Sequence, residues 1–152
     1  MIGSSKYYLG GYNNISQTSQ DMYSYERKIS GSNYYYGSNP NNWVGKLALM
    51  YESDYGYASA NCETKKLYDT ATTDLRACND TNWLYNIKVE EWLLPQFSSS
   101  SGSAFVVFSD GYVDGNYVND GQFAVRPVLY LTSAVKITGG EGTESNRYQL
   151  GV

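Results

Sequence analysis

The sequence predicts a single α+β domain: a twisted antiparallel sheet, one or two short helices and long loops. Three observations lead there. The last third alternates apolar runs with tight-turn dipeptides such as Asp110-Gly111, the punctuation of antiparallel strands. Two earlier stretches, Thr18–Arg27 and Ser53–Ala58, open on residues that cap helices. The length, 152 residues, fits one domain and can bury a core without a metal or a dense disulfide net.

Each element has its own signal. Residues 1–42 form a polar segment rich in Tyr, Ser, Asn and Gly, expected to pack on the domain proper at 43–152. Within it, Thr18 or Ser19 caps a short helix, and Asn39-Pro40-Asn41-Asn42 is a turn. Trp43–Tyr51 reads as a core segment, its middle a buried strand or a short apolar bend. Glu63–Leu75 is the best surface-helix candidate, anchored by Leu67 and Leu75 and weakened by its β-branched threonines. Trp83-Leu84-Tyr85 and Glu91–Pro95 each set a tryptophan beside leucine, and both should point into one core.

Ala104–Phe108 is a strand, and Asp110-Gly111 turns the chain into a return strand from Tyr112 to Val118. Asp114-Gly115-Asn116 is expected to bend or bulge that strand, and Asn119-Asp120-Gly121 to turn it again. Phe123–Leu131 suits a central strand, interrupted by Arg126-Pro127; proline cannot donate to a ladder, so Pro127 should occupy a bulge or an unpaired position. Val135–Thr138 is the last short strand predicted. The Ser98–Ser103 run reads as a loop inside one domain rather than a linker.

Composition narrows the function. Tyr occurs 17 times and His not at all, while charged residues make up 17%, below the roughly 25% of an average soluble protein. The surface is therefore covered by neutral hydroxyls, amides and phenols, the palette of binding loops. A net charge of −4 with no basic patch argues against nucleic acid. No apolar run approaches the ~20 residues of a membrane helix. No signal peptide is visible behind Met1–Lys6, which implies either a removed export signal or a start inside a longer gene product. Cys62 and Cys78 are too few for a four-ligand zinc site without histidine. They read as a disulfide rather than two buried thiols, because the rest of the composition looks extracellular.

The absence of histidine removes Ser-His and Cys-His nucleophile pairs. Glu90 and Glu91 are adjacent and read as solvated charges beside Trp92, not as a glycosidase pair. Asp110, Asp114 and Asp120 lack the spacing of a calcium loop. No enzyme activity, metal or cofactor is expected.

Several motifs in fixed order carry a resemblance: Trp83-Leu84-Tyr85, Trp92-Leu93-Leu94-Pro95, a Ser-rich loop, Ser109-Asp110-Gly111-Tyr112-Val113 and Ala124–Leu131. Residues 43–150 resemble the C-type-lectin-like domain of bacterial surface proteins, the branch that includes formylglycine-generating enzymes and the variable proteins of diversity-generating retroelements. Trp43–Ala58 and Val135–Thr143 are similar to segments of Firmicutes surface proteins, many of which carry a pilin-like N-terminal helix. The resemblance implies a lectin-like sheet displaying irregular loops. It does not extend to the catalytic cysteine pair of the formylglycine enzymes, nor to the pilin-like helix and early strands.

The binding expectation falls on Ser98–Asp120, with Ser98, Ser100, Tyr112, Asp114, Asn116, Tyr117, Asn119 and Asp120 as contact residues. Strict alternation would put Tyr112, Asp114, Asn116 and Val118 on one face; a bulge would turn Tyr117 and Asn119 outward instead. The corresponding stretch of retroelement variable proteins is an adjustable surface, which the resemblance implies here. Trp83, Trp92 and Arg126 are assigned structural roles, and Arg126 should pair with a carboxylate or backbone carbonyls. Tyr7-Tyr8 and Tyr34-Tyr35-Tyr36 either stack on sugars or pack in the core or against a neighbouring subunit. Two functions remain: a cell-surface module that binds a protein or glycan, and a self-assembling subunit of a pilus-like filament.

Overall fold

Residues 2–12, 18–28, 40–60, 62–68, 77–86, 88–143 and 145–152 are described by a computed structural model. Tyr34–Tyr36, Leu75 and the end of the 63–75 stretch lie outside them. The fold is α+β with antiparallel sheets.

Helix α1 (Ser19–Glu26) begins where its caps require. The Asp21 backbone N–H donates to Thr18 Oγ1 at 3.1 Å, and the Asp21 carboxylate accepts from the Thr18 backbone N–H at 3.4 Å, so two orphan donors are satisfied reciprocally. Ser19, Met22 and Glu26 form its buried stripe, the spacing of one helical face. Helix α2 (Glu52–Tyr57) is opened by Asp54, whose Oδ2 accepts from the Tyr51 N–H at 3.0 Å. The two helices meet at Gly56, where an added Cβ would collide with Ser19 Oγ. Residues 63–68 form turns, not the predicted helix; Leu67 still anchors the core.

Strand β1 (Ser5–Tyr8) pairs with β2 (Asn42–Gly45), so the polar N-terminal segment contributes a strand as well as a helix. Strand β3 (Ala48–Leu49) pairs with β7 (Pro127–Val128). The main sheet is β4 (Glu91–Gln96), β5 (Ser103–Val107) and β6 (Val113–Tyr117). Strand β8 (Lys136–Gly139) pairs with β9 (Gln149–Gly151), an element the sequence reading did not find. Met22, Met50, Tyr55, Leu67, Leu93, Phe105, Val107 and Val113 form the core between the helices and the main sheet. The Cys62–Cys78 disulfide joins segments on either side of the undescribed stretch, with Cα atoms 5.8 Å apart.

Two apolar runs expected in the core lie largely at the surface, and two details of strand pairing also differ from expectation. In Trp43–Tyr51 only Met50 and Tyr51 are buried, while Trp43, Val44 and Leu47 are exposed. Phe123–Leu131 is not a central strand. Ala124 bridges Glu91, Leu131 bridges Ile2, and only Pro127-Val128 forms a strand. Pro127 is paired with Leu49, not unpaired; it is tolerated as the first residue of a short two-stranded sheet. The expected bulge at Asp114-Gly115-Asn116 is absent, since β6 pairs with β5 residue for residue. The register shift falls between Trp92 and Gln96 on β4, around Pro95.

Gly56→Ala should destabilise the chain by about 1–3 kcal/mol, the usual range for overpacking. Urea unfolding checks this. An unchanged midpoint would show that the helices do not meet as described.

Candidate functional site

The β5–β6 hairpin carries most of the predicted contact residues. Its turn closes through Gly111 N–H to Phe108 O at 2.8 Å, with Gly111 at φ +85°, a conformation open to glycine. Asn79 Nδ2 donates to Asp110 O at 2.7 Å, so the residue after Cys78 braces the turn. Straight pairing puts Tyr112, Asp114 and Asn116 on one side, half-buried. Tyr112 stacks on Phe108 at 4.5 Å, and burial, then Asp110 and Asp114, raise its phenol pKa. Gly115 serves close approach rather than a bulge: its missing Cβ makes room for the Phe97 ring.

Beyond β6 the chain opens to solvent. Tyr117 is 67% exposed, and Val118, Asn119 and Asp120 are exposed with it. Asp120 N–H closes onto Tyr117 O at 3.0 Å, fixing the group as a turn. The serines behave otherwise. Ser98 is buried at 2% exposure, a correction to its place among ligand contacts, since its backbone N–H joins Tyr12 O beside the Tyr12–Phe97 bridge. Ser100 Oγ is shared with Ser103 Oγ at 3.0 Å and with the Gly102 N–H, so its hydroxyl serves its own turn.

Arg126 reaches back across the sheet edge. Its Nη2 lies 2.6 Å from Glu91 Oε1 and its Nη1 donates to Leu84 O at 2.9 Å. Glu91 is thus a buried, paired carboxylate, not the solvated charge expected. Position 91 takes the inward side of β4, where burial alternates along the strand. Trp92 faces the other way and packs on Phe123 at 4.8 Å.

Trp83 overturns its structural assignment, for it is 78% exposed while Leu84 and Tyr85 pack on the core. Its backbone is held firmly nonetheless. Trp83 N–H donates to Ala58 O, buried Asn82 donates through Nδ2 to Tyr55 O at 2.9 Å, and Ser59 and Thr81 share a short hydroxyl–hydroxyl hydrogen bond. Beside the indole lies a cleft of about 380 Å³ lined by Met50, Asp54, Tyr57, Ala58, Trp83, Leu84 and Val128. The sequence reading missed it, and only the polar neighbours of Trp83, Asn82 and Asn86, hinted that this tryptophan lies at a surface.

A second unforeseen group lies between the helices. Glu26 is wholly buried; its carboxylate accepts from the Ser53 N–H at 2.7 Å, from Ser53 Oγ at 2.5 Å and from Arg27 Nη1 at 3.2 Å. Burial outweighs those donors and pushes its pKa up to about 8. Glu52, also buried, is raised well above the carboxylate range by burial and by Glu26, and its Oε2 has no hydrogen-bond partner among the described residues. Two carboxylates in one dry interface do not both ionise at low cost.

No family model, characterised protein or solved structure matches the chain. Among the described residues, no three His, Cys, Asp or Glu side chains gather to hold a metal, Asp110, Asp114 and Asp120 included. Among the described residues, no helix is long and apolar enough to cross a membrane.

The glutamate pair sets a pH dependence. Both carboxyls hold their protons more tightly folded than unfolded, so the native state binds more protons and stability falls as pH rises. For Glu26 the loss runs from its ordinary value near 4.5 to about 8, at up to about 1.4 kcal/mol per pH unit for a fully linked proton. Melting temperature should therefore drop between pH 5 and pH 8, each bound being about the range of a carboxyl so raised. Glu52→Gln should flatten the profile. A flat profile in the unaltered chain would contradict the burial of the pair.

Proposed function

We propose that this chain is an extracellular, surface-displayed binding module of the C-type-lectin-like class, recognising a protein or glycan through the exposed end of β6. One observation carries the reading: Tyr117, Asn119 and Asp120 stand exposed together on a turn, at the end of a sheet whose other parts are pinned. A stiff phenol flanked by amide and carboxylate groups on a fixed scaffold gives contact area at low entropy cost. The ordered motifs from Trp83 to Leu131 support the lectin-like class, and the disulfide supports an oxidising compartment. A sequence without histidine favours binding over nucleophilic catalysis.

Assembly into a filament is the second reading, favoured by a different observation. Ile2, Trp43, Val44, Leu129, Tyr130 and Leu131 are exposed, and they are linked through the Ile2–Leu131 bridge and through Tyr7, which stacks on both Trp43 and Tyr130. The β8–β9 ribbon adds Ile137 and Leu150, opposite one another in register and both exposed. Apolar strips of that kind mark contacts between chains.

An array of glycans and secreted proteins separates the two. The module should give saturable signals that fall about tenfold or more in a Tyr117→Ala/Asn119→Ala chain, as for a contact worth about 1.4 kcal/mol. Signals indifferent to both changes would remove β6 from recognition. Under the filament reading, sedimentation velocity should instead show mass rising with concentration, reversed by Val44→Ser. Mass spectrometry of native, non-reduced protein should find Cys62 joined to Cys78, and two free thiols there would remove the support for an extracellular site.

A further inference from the structure

We propose that the cleft beside Trp83 is a binding site for a quaternary ammonium group, held by the Trp83 and Tyr57 rings and the Asp54 carboxylate. The argument begins with Trp83 itself. A tryptophan is costly to leave in water, yet this one is 78% exposed on a backbone fixed by its own N–H to Ala58 O, by Asn82 Nδ2 to Tyr55 O and by the Leu84 N–H to Asn82 Oδ1. Its indole therefore projects from a fixed backbone position at the rim of the cleft. Tyr57, from the last position of α2, is half-exposed and edges against Tyr23 at 6.3 Å, which restrains its ring in turn.

The lining then selects the ligand. Met50, Leu84 and Val128 supply an apolar floor, and among the described residues no lysine or arginine lines the cleft. Asp54 supplies the charge: its Oδ2 accepts from the Tyr51 N–H, and no salt bridge to Asp54 occurs among the described residues. A carboxylate beside ring faces attracts a cation. A hexose would bring several hydroxyls to a wall with three polar side chains, Asp54, Tyr57 and Trp83 through its indole N–H. Asp54 is the one charged acceptor among the lining residues and its Oδ2 is already engaged by the Tyr51 N–H, so a primary ammonium with three donors or a guanidinium with five is matched only in part. A quaternary ammonium has no N–H to satisfy and presents methyl groups to the floor and rings. At about 380 Å³ the cleft has room for such a group. None of its lining residues belongs to β6, so this site and the β6 contact surface can fail separately.

The experiment is a titration of the full chain with tetramethylammonium chloride, against sodium chloride at equal ionic strength, following the indole N–H resonances by two-dimensional NMR. Of the three tryptophans, Trp83 should shift saturably while Trp43 and Trp92 stay still. Trp83→Ala should identify that resonance by its loss, and should abolish the smaller saturable shifts of cleft backbone amides while leaving the melting temperature unchanged. Asp54→Asn keeps an acceptor for the Tyr51 N–H and should weaken binding by about tenfold, the scale of one cation–ring or ion contact. Methylammonium should bind more weakly than tetramethylammonium. The proposal is overturned if no saturable shift exceeds the sodium baseline, or if Trp83→Ala leaves those amide shifts intact. It is equally overturned if methylammonium binds as well, which would make the cleft a receptor for lysine side chains, or if methyl glucoside saturates it and tetramethylammonium does not.

Discussion

Tyr55 is the residue on which the separate parts converge. Its ring fills the core between α2 and the main sheet, its hydroxyl donates to Gly111 O at 3.2 Å in the β5–β6 turn, and its carbonyl accepts from Asn82. One residue thus fixes the helix against the hairpin and the hairpin side against the Trp83 loop. Burial holds its phenol in the protonated, donating form, with its pKa far above the ordinary tyrosine value. A chain with four phenylalanines and 17 tyrosines must fill its interior partly with phenols, and each buried hydroxyl then demands an acceptor. Tyr51 meets the same demand by donating to Tyr8 O at 3.1 Å and accepting from the Tyr8 N–H at 2.9 Å, which ties the N-terminal strand to α2.

Local chemistry was legible in the sequence wherever it is local in the structure. The short helix expected after a Thr18 or Ser19 cap, the Asp110-Gly111 turn and the β5 run need only near neighbours, and each forms, with Thr18 as the cap. The cysteine pair is bonded as the extracellular look of the composition suggests. What failed depends on coverage. Phe123–Leu131 and Trp43–Leu47 are apolar enough for an interior, yet Trp43, Val44, Leu47, Val125, Leu129, Tyr130 and Leu131 are exposed. Pro127 removes a ladder donor in the middle of the first run, so pairing there stops at two residues.

The site was harder to read for a related reason. Glu26, Glu52 and Glu91 look in sequence like any solvated acid; their burial comes from partners 27 to 35 positions away for Ser53 and Arg126. Trp83 and Trp92 sit in similar Trp-Leu contexts, yet one is a rim and the other packs on Phe123, because Asn82 turns the chain outward where β4 alternates inward and outward. Ser98 and Tyr117 both belong to polar text, and only the register of β5 with β6 and the Tyr12–Phe97 bridge decide that the serine is sealed and the tyrosine is not.

The disulfide has a wider reach than loop closure alone. Cys62 follows α2, and Ser59 within that link bonds Thr81; Cys78 precedes Asn79, which braces Asp110. Residues 77–84 therefore form a strap with the Trp83 cleft at one end and the β5–β6 turn at the other. Held by the cystine, the strap has few conformations to lose when either end meets a ligand, which lowers the ordering cost of binding. A low-charge surface of phenols and amides gains little from long-range steering, so its contacts depend on such pre-organisation. The same covalent link keeps the exposed Trp83 on backbone that does not have to be ordered first, while the exposed Tyr117, at the far end of β6, is held by pairing with Ser103.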